Sequence, residues 1–300
     1  MKSALFELMY ICIFILGAIW IVRHLSKRFS TEREGFQQKD RFVLKTDKSS
    51  YDGFYSEIYD EIWKPEDRAN YETEMIIQTI DPDPKFSYIL DVGCGTGAFL
   101  KEWKRRGFQA RGIDRSKAMS QRVIDGGLDV TVGDVLDPMV YDRATFSHIF
   151  CLDFTIYELE DKRQFFKNSY YWLQNKGYLV IHLVDRGQFN GIVPAARPIY
   201  LESVEQLGPE RITKTEIEFD DFIYLSDYVT ENKKVVHKES FMDKGTQHIR
   251  QNERTLMMDS PEEIMRMALA AGFIAKGAFS MEEGPSRDAA QQIIILERSS

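Results

Sequence analysis

One octapeptide constrains this chain more than any other: Asp91-Val92-Gly93-Cys94-Gly95-Thr96-Gly97-Ala98. The apolar run Tyr88–Val92 leads into it and reads as a short buried strand. Phe99, Leu100 and Trp103 follow at helical spacing, up to Gly107. A strand that turns through glycines into a helix brings the backbone close to a ligand and leaves the helix's first amides exposed. The same alternation continues. A strand ends at Ile113-Asp114, a helix runs from Ser116 to Ile124, and strands follow near Leu128–Val132, Ser147–Leu152 and Tyr178–Val184. A helix through Phe166, Tyr170 and Leu173 separates the last two, and one through Ala69, Thr73, Ile76 and Ile80 stops at Asp81-Pro82. Strands alternating with helices predict a parallel sheet covered on both faces.

The rhythm breaks after Asp185. Residues 219–230, 234–242 and 247–258 read as three strands joined by the turns Glu231-Asn232-Lys233 and Asp243-Lys244-Gly245. This predicts a three-stranded antiparallel β insertion over residues 215–258. Ser260, Pro261 and Glu263 then form a capping box, and Ile264, Met267, Ala268 and Ala271 form the apolar face of a helix ended by Gly272. Residues 273–280 and 292–298 read as a closing strand pair.

The N-terminus differs from the rest. Leu8–Val22 carries no charge and ends Trp20-Ile21-Val22-Arg23, not in the small residues of a cleavage site. Residues 1–24 read as a transmembrane anchor, residues 25–50 as a polar linker, and residues 51–300 as the main domain. Arg23, Lys27, Arg28 and Arg33 place that domain on the cytoplasmic side of a membrane, as a single-pass protein. Cys94 and Cys151 suit a reducing compartment as unpaired thiols.

Acids stand where a ligand would meet the strand ends. Asp91 ends the first strand just before the glycines. Asp114 ends the second, and Gly133-Asp134 follows the third. Gly93-x-Gly95-x-x-Ala98 also satisfies a dinucleotide fingerprint. A carboxylate at Asp91 would repel a pyrophosphate, however, and would suit an ammonium. An acid at Asp114 can take both ribose hydroxyls, and one at Asp134 an exocyclic amine. Together they describe a pocket for a nucleoside with a cationic amino-acid tail. Lys and Arg number 39 against 47 Asp and Glu, a net charge of −8, which disfavours nucleic acid as a partner. His237 and His248 lack the convergent spacing of a metal site, so no metal is expected.

The segments ILDVGCGTG, GIDRSKAM and VTVGDVLD resemble, in order and spacing, the motifs of class I S-adenosylmethionine-dependent methyltransferases. FYSEIYDEIW, the late insertion and EEGPSRDAAQQIIILE are similar to small-molecule members of the amino-sugar N,N-dimethyltransferase type. The resemblance implies a Rossmann-like, doubly wound, mostly parallel seven-stranded sheet. It implies S-adenosylmethionine as cofactor, with Gly93, Cys94, Gly95 and Gly97 beside its methionine part and Asp91 on the amino group. Asp114 would hold the ribose, Asp134 with Val135 would meet the adenine, Leu152 and Asp153 would lie at the fourth strand's mouth beside the methyl group, and Arg115 and Tyr59 are further candidate cofactor contacts. Tyr51, Tyr55 and Tyr59 share a helical face, either as a lid or as a packing stripe.

Methyl transfer from a sulfonium needs an aligned nucleophile and exclusion of water. Asp153, Tyr157 and His182 are the candidate catalytic residues, with Glu158 and Asp185 beside them. His182 in an apolar strand also reads as a core histidine, and His237 and His248 as exposed residues of the insertion. Arg287 reads as a solvated loop residue or as a contact for an anionic part of the substrate. The expected function is methyl transfer to a small-molecule acceptor at an amine nitrogen. The alternatives are a non-catalytic membrane-tethered scaffold and O-methylation of a lipid or quinone-type acceptor. The reading admits a homodimer.

Overall fold

The computed structural model describes residues 40–196 and 211–300 and, before them, only Ile15 and Gly17. The chain divides into residues 1–39 and residues 40–300, and the second unit carries the fold. The anchor expected over residues 1–24 lies outside the described residues, apart from those two positions. Among the described residues no helix is long and apolar enough to cross a membrane.

In chain order the second unit contains β1 (Phe42–Thr46), α1 (Gly53–Trp63), α2 (Pro65–Ile80), β2 (Tyr88–Val92), α3 (Ala98–Arg105), β3 (Gln109–Asp114), α4 (Lys117–Asp125) and β4 (Val130–Val132). Then come β5 (Phe146–Cys151), the one-turn α5 (Thr155–Glu158), α6 (Lys162–Trp172) and β6 (Leu173–Val184). Beyond them lie β7 (Lys214–Glu218), β8 (Phe222–Glu231), β9 (Lys234–Asp243), β10 (Ile249–Met257), α7 (Pro261–Ala270), β11 (Phe273–Met281) and β12 (Asp288–Arg298).

Seven strands form one sheet in the order β11-β12-β6-β5-β2-β3-β4. β12 pairs antiparallel with both its neighbours and the other pairings are parallel. The chain winds outward from β2 through β3 to β4, then crosses back to β5. The carboxyl ends of β2 and β5 therefore flank the topological switch point, where open α/β sheets bind ligands. The central strands β2 and β5 are short runs buried along almost their whole length, as expected where both faces of a sheet are covered. Trp103 of α3 stacks on Phe150 of β5 with centroids 5.0 Å apart, and both are buried. Local signals set the helix ends. Asp52 accepts from the Tyr55 amide at the start of α1, Ser116 accepts from Met119 at the start of α4, and the Ser260–Glu263 capping box starts α7.

A second sheet has the order β1-β10-β9-β8-β7, antiparallel except for β1 against β10. It corrects two expectations. The insertion contributes four strands, because Lys214–Glu218 pairs with β8. The stretch read as linker to residue 50 supplies a fifth, because Phe42–Thr46 pairs along β10. Both are short and charged or alternating, so their main-chain pairing leaves little trace in local composition.

Candidate active site

The glycine loop opens a cleft above the ends of β2 and β3. Gly93 has φ +68°, and a Cβ there would stand 2.5 Å from Thr155 Cγ2. Gly95 has φ +54°, and its Cβ would meet nothing within 4 Å, so the loop leaves open space on that side. Gly97 caps α3 in the left-handed region. The Gly95 amide donates to Asp114 Oδ2 at 2.9 Å and the Ser116 amide to Oδ1 at 2.8 Å. Loop and acid are thus one unit.

The cleft has two adjoining lobes that share Tyr59, Trp63, Val92, Gly93, Gly95, Asp153, Phe154 and Tyr228. Asp114, Arg115, Asp134 and Val135 line the first lobe. Asp91, Cys94, Leu152, Arg68 and Arg287 line the second. Of the residues expected around a cofactor, only Gly97 lines neither lobe, and its part is to start α3.

The three acids differ in state. Asp91 is 3% exposed, and burial followed by the charges of Asp114 and Glu72 pushes its carboxyl up to about 8. Burial raises Asp114 to about 6 although two backbone amides favour its charged form. Asp134 stands nearer solvent, accepts from the Leu136 amide at 3.0 Å and pairs with Lys48 at 3.8 Å. A buried carboxyl surrounded by other carboxyls calls for a cation, and the open side of Gly95 admits close approach. On both counts these residues fit S-adenosylmethionine, whose amino-acid tail carries an ammonium.

Asp153 stands on the wall between the lobes, just past β5, with φ +52°. Arg68 of α2 donates from Nη1 to its Oδ1 at 2.6 Å. Arg68 Nε donates to Glu72 Oε1 at 2.7 Å, and burial raises Glu72 to about 7. The other two candidate catalytic residues stand elsewhere. His182 is fully buried behind the cleft wall and donates from Nδ1 to the Asp153 carbonyl. Burial and the Arg68 charge hold its imidazole down to about 3, so it orients the loop as a neutral ring. The Tyr157 hydroxyl accepts from the Val184 amide at 2.7 Å and donates to the Val184 carbonyl at 3.2 Å, inside the core. Tyr157 lines neither lobe and serves packing.

The second sheet roofs the first lobe with Tyr228, His237, Arg254 and Leu256. His237, expected to be exposed, is 3% exposed. Ser226 meets its Nε2 at 2.8 Å, Arg254 donates to its Nδ1 at 2.9 Å, and Tyr228 stacks on its ring at 4.1 Å. Arg254 also pairs with the buried Glu239 at 2.8 Å. Glu239 accepts from Tyr55 at 3.0 Å and from Tyr224 at 2.7 Å. Tyr51 donates to Glu158, whose other oxygen accepts from Arg115 at 3.1 Å. The tyrosines therefore both pack against the roof and line the cleft, Tyr55 and Tyr59 from α1 and Tyr51 from the turn before it, so the three do not share one helical face as expected. Arg68, Glu72, Arg254 and Glu239 carry no motif of their own. Their one signal is polar residues in phase with apolar ones, as in Val235, His237, Glu239 and Phe241, all buried.

Residues 90–181 match the family model described as a methyltransferase domain. No curated protein matches the chain. Among solved structures it is similar to the CcbJ methyltransferase from Streptomyces caelestis, with TM-score 0.63 and 14% identity over 87% of this chain and 100% of that one. It is also similar to the sugar N-methyltransferase KedS8 from Streptoalloteichus, with TM-score 0.56 and 18% identity over 78% of this chain and 87% of that one. A third is CalS10 of Micromonospora echinaspora, an amino pentose methyltransferase solved with S-adenosylmethionine bound. It gives TM-score 0.54 and 19% identity over 78% of this chain and 91% of that one. At these identities the likeness establishes the fold.

Proposed function

We propose that this S-adenosylmethionine-dependent methyltransferase methylates the nitrogen of a small polar amine received against Asp153. The observation that carries the reading is the state of the groups around that carboxylate. Asp153 pairs through Oδ1 with Arg68, and its side chain remains 37% exposed at the junction of the lobes. Neither buried histidine nearby is equipped as a base. His182 lines neither lobe, and burial with the Arg68 charge holds its imidazole down to about 3, while burial and Arg254 hold His237 well below the ordinary histidine range. An oxygen acceptor usually needs a base to become nucleophilic, whereas an amine that has lost its proton to water does not.

The bound cofactor supplies a methyl group on a sulfonium. The chain does the rest. Asp91 faces the ammonium and Asp114 the ribose hydroxyls. The rings of Tyr59, Trp63, Phe154 and Tyr228 surround the junction and exclude water. Asp153 accepts an N–H of the incoming amine and so orients its lone pair. The sugar N-methyltransferase and amino pentose methyltransferase among the similar structures agree with an amine acceptor.

The test is transfer of labelled methyl from S-adenosylmethionine to a panel of amino sugars, amino alcohols and amino acids, run beside hydroxyl analogues without the amine. Labelled amines are the expected products. Label on the hydroxyl analogues alone would overturn the reading. We also propose that residues 1–24 tether the enzyme to a membrane with the catalytic unit on the cytoplasmic side. The uncharged Leu8–Val22 and the basic residues after it support this. Release of the full chain from membranes by alkaline carbonate would refute it.

A further inference from the structure

Asp153 is held at more points than a loop carboxylate needs. Its backbone lies in the left-handed region, which a side chain resists and which persists where surroundings over-determine it. His182 holds its carbonyl. Arg68 holds Oδ1 at 2.6 Å, and Arg68 is itself held by Glu72, whose Oε1 accepts from Nε at 2.7 Å and lies 2.5 Å from Nη2 as an ion pair. Exposure is graded along this chain of contacts. The Glu72 side chain is 0% exposed, that of Arg68 12% and that of Asp153 37%. A buried anchor thus fixes a half-buried cation, and the cation fixes a carboxylate at the cleft. Arg68 reaches Asp153 from α2, 85 residues earlier in the chain. The planar guanidinium makes this possible. One edge faces Glu72 while Nη1 faces Asp153, an arrangement that an ammonium on a flexible stem does not reproduce. Pinning α2 to the sheet would not require this, since Ala69 and Ile76 already bury its apolar face.

We propose that Arg68, backed by Glu72, is the positioning residue for Asp153: it occupies Oδ1 and turns Oδ2 toward the nitrogen of the acceptor. The inference rests on the reading of Asp153 given above. It makes Arg68 matter for the alignment of the acceptor and not for the cofactor.

The test is a double-mutant cycle of Arg68→Ala and Asp153→Asn. It is read as kcat and KM with the best-methylated amine of the panel, and as affinity for S-adenosylhomocysteine by calorimetry. Because Arg68→Ala strands a buried carboxylate, the cycle is repeated in a Glu72→Gln background, with Tm measured throughout. Arg68→Ala should lower kcat about 10- to 100-fold, the scale of a misaligned reacting group. In the Glu72→Gln background, where Arg68 no longer acts on Asp91 through the Glu72 charge, removing Arg68 should change S-adenosylhomocysteine affinity by less than about twofold. Once Asp153 is Asn, removing Arg68 should cost little more. Arg68→Lys should recover only part of kcat. Multiplicative losses, or a cofactor affinity that falls in step with kcat, would overturn the proposal. Wild-type turnover with unaffected variants would overturn it while leaving the amine reading intact. Failure of the wild type on every amine would remove both.

Discussion

With the cofactor's ammonium assigned to Asp91, this buried carboxyl should make cofactor uptake depend on pH. Burial and the neighbouring Asp114 and Glu72 push it up to about 8 in the ligand-free protein. Near neutral pH it is therefore mostly protonated, and an ammonium can pair with it only after the proton leaves. Each pH unit below the raised value costs about 1.4 kcal/mol, or about tenfold in affinity. S-adenosylhomocysteine is the suitable probe, because its ammonium is almost fully charged below about pH 6.5. Its Kd should fall about tenfold from about pH 5.5 to about pH 6.5, with close to one proton released per ligand bound. Calorimetry in two buffers of different ionisation enthalpy measures that proton directly. Glu72, raised to about 7, and Asp114, raised to about 6, titrate nearby, so the release belongs to the cluster until a variant divides it. Asp91→Asn should abolish most of the slope and weaken binding at the upper end of the range.

A second consequence has the opposite sign. A carboxyl raised on folding holds its proton more tightly in the folded state. Its contribution to stability is complete below the unfolded value of 3.8 and is lost as pH rises toward about 8. Ligand-free Asp91→Asn should then melt above the wild type near pH 8, while binding the cofactor less well. A flat Kd with no buffer-dependent heat would refute the reasoning, and so would a variant that melts lower at that pH.

Three further outcomes are expected. Asp114→Ala strands the Gly95 and Ser116 amides as well as the ribose, so S-adenosylhomocysteine Kd should rise about 10- to 100-fold, with Asp114→Asn milder because one acceptor oxygen remains. Gly93→Ala places a methyl 2.5 Å from Thr155 at positive φ and should cost well over about 1 kcal/mol in denaturant unfolding, whereas Gly95→Ala meets open space and should cost only the left-handed backbone strain of about 1–2 kcal/mol, with a loss of cofactor affinity beside it. Tyr157→Phe unpairs the buried Val184 backbone and should lower stability by about 1–3 kcal/mol while leaving kcat near wild type; loss of kcat in a well-folded variant would return Tyr157 to the site.

The lobe we assign to the cofactor is legible in the sequence because its signals are local. The glycines, Asp91, Asp114 and Asp134 each sit at a strand end that the apolar runs already mark. The residues we assign to the acceptor are not, because they meet only after folding. Arg68 and Asp153 are 85 positions apart, and Tyr55 and Glu239 are 184 apart. His237 reads as exposed in the sequence, yet β9 places His237 and Glu239 in phase with the buried Val235 and Phe241. Alternation gives a strand two faces but does not say which one is inside when both mix polar and apolar residues. The linker reading fails at Phe42–Thr46 for a related reason, since strand pairing there depends on β10, about 200 residues downstream. Tyr157 draws notice by its place just past β5, but the single turn of α5 directs its hydroxyl to β6.

The polarity of the roof's inner face is itself informative. Arg250, Asn252 and Arg254 alternate along β10 and are all buried, opposite Phe241, Glu239 and His237 of β9 in turn. A sheet face that served only to cover a core would be apolar there, because each buried charge carries a desolvation cost that its partner offsets only in good geometry. The geometry is good where α1 meets it. Arg250 grips Asp52, the N-cap of α1, through two bonds of 2.9 and 3.0 Å, and Tyr55 reaches Glu239 one turn later. These contacts have direction, which an apolar face lacks, so they fix where α1 sits along the sheet and hence where Tyr51, Tyr55 and Tyr59 enter the cleft. The β insertion and the strand before α1 thus act together as a mount for the tyrosine helix. The parallel sheet presents the cofactor acids, and the roof sets the opposing wall to match.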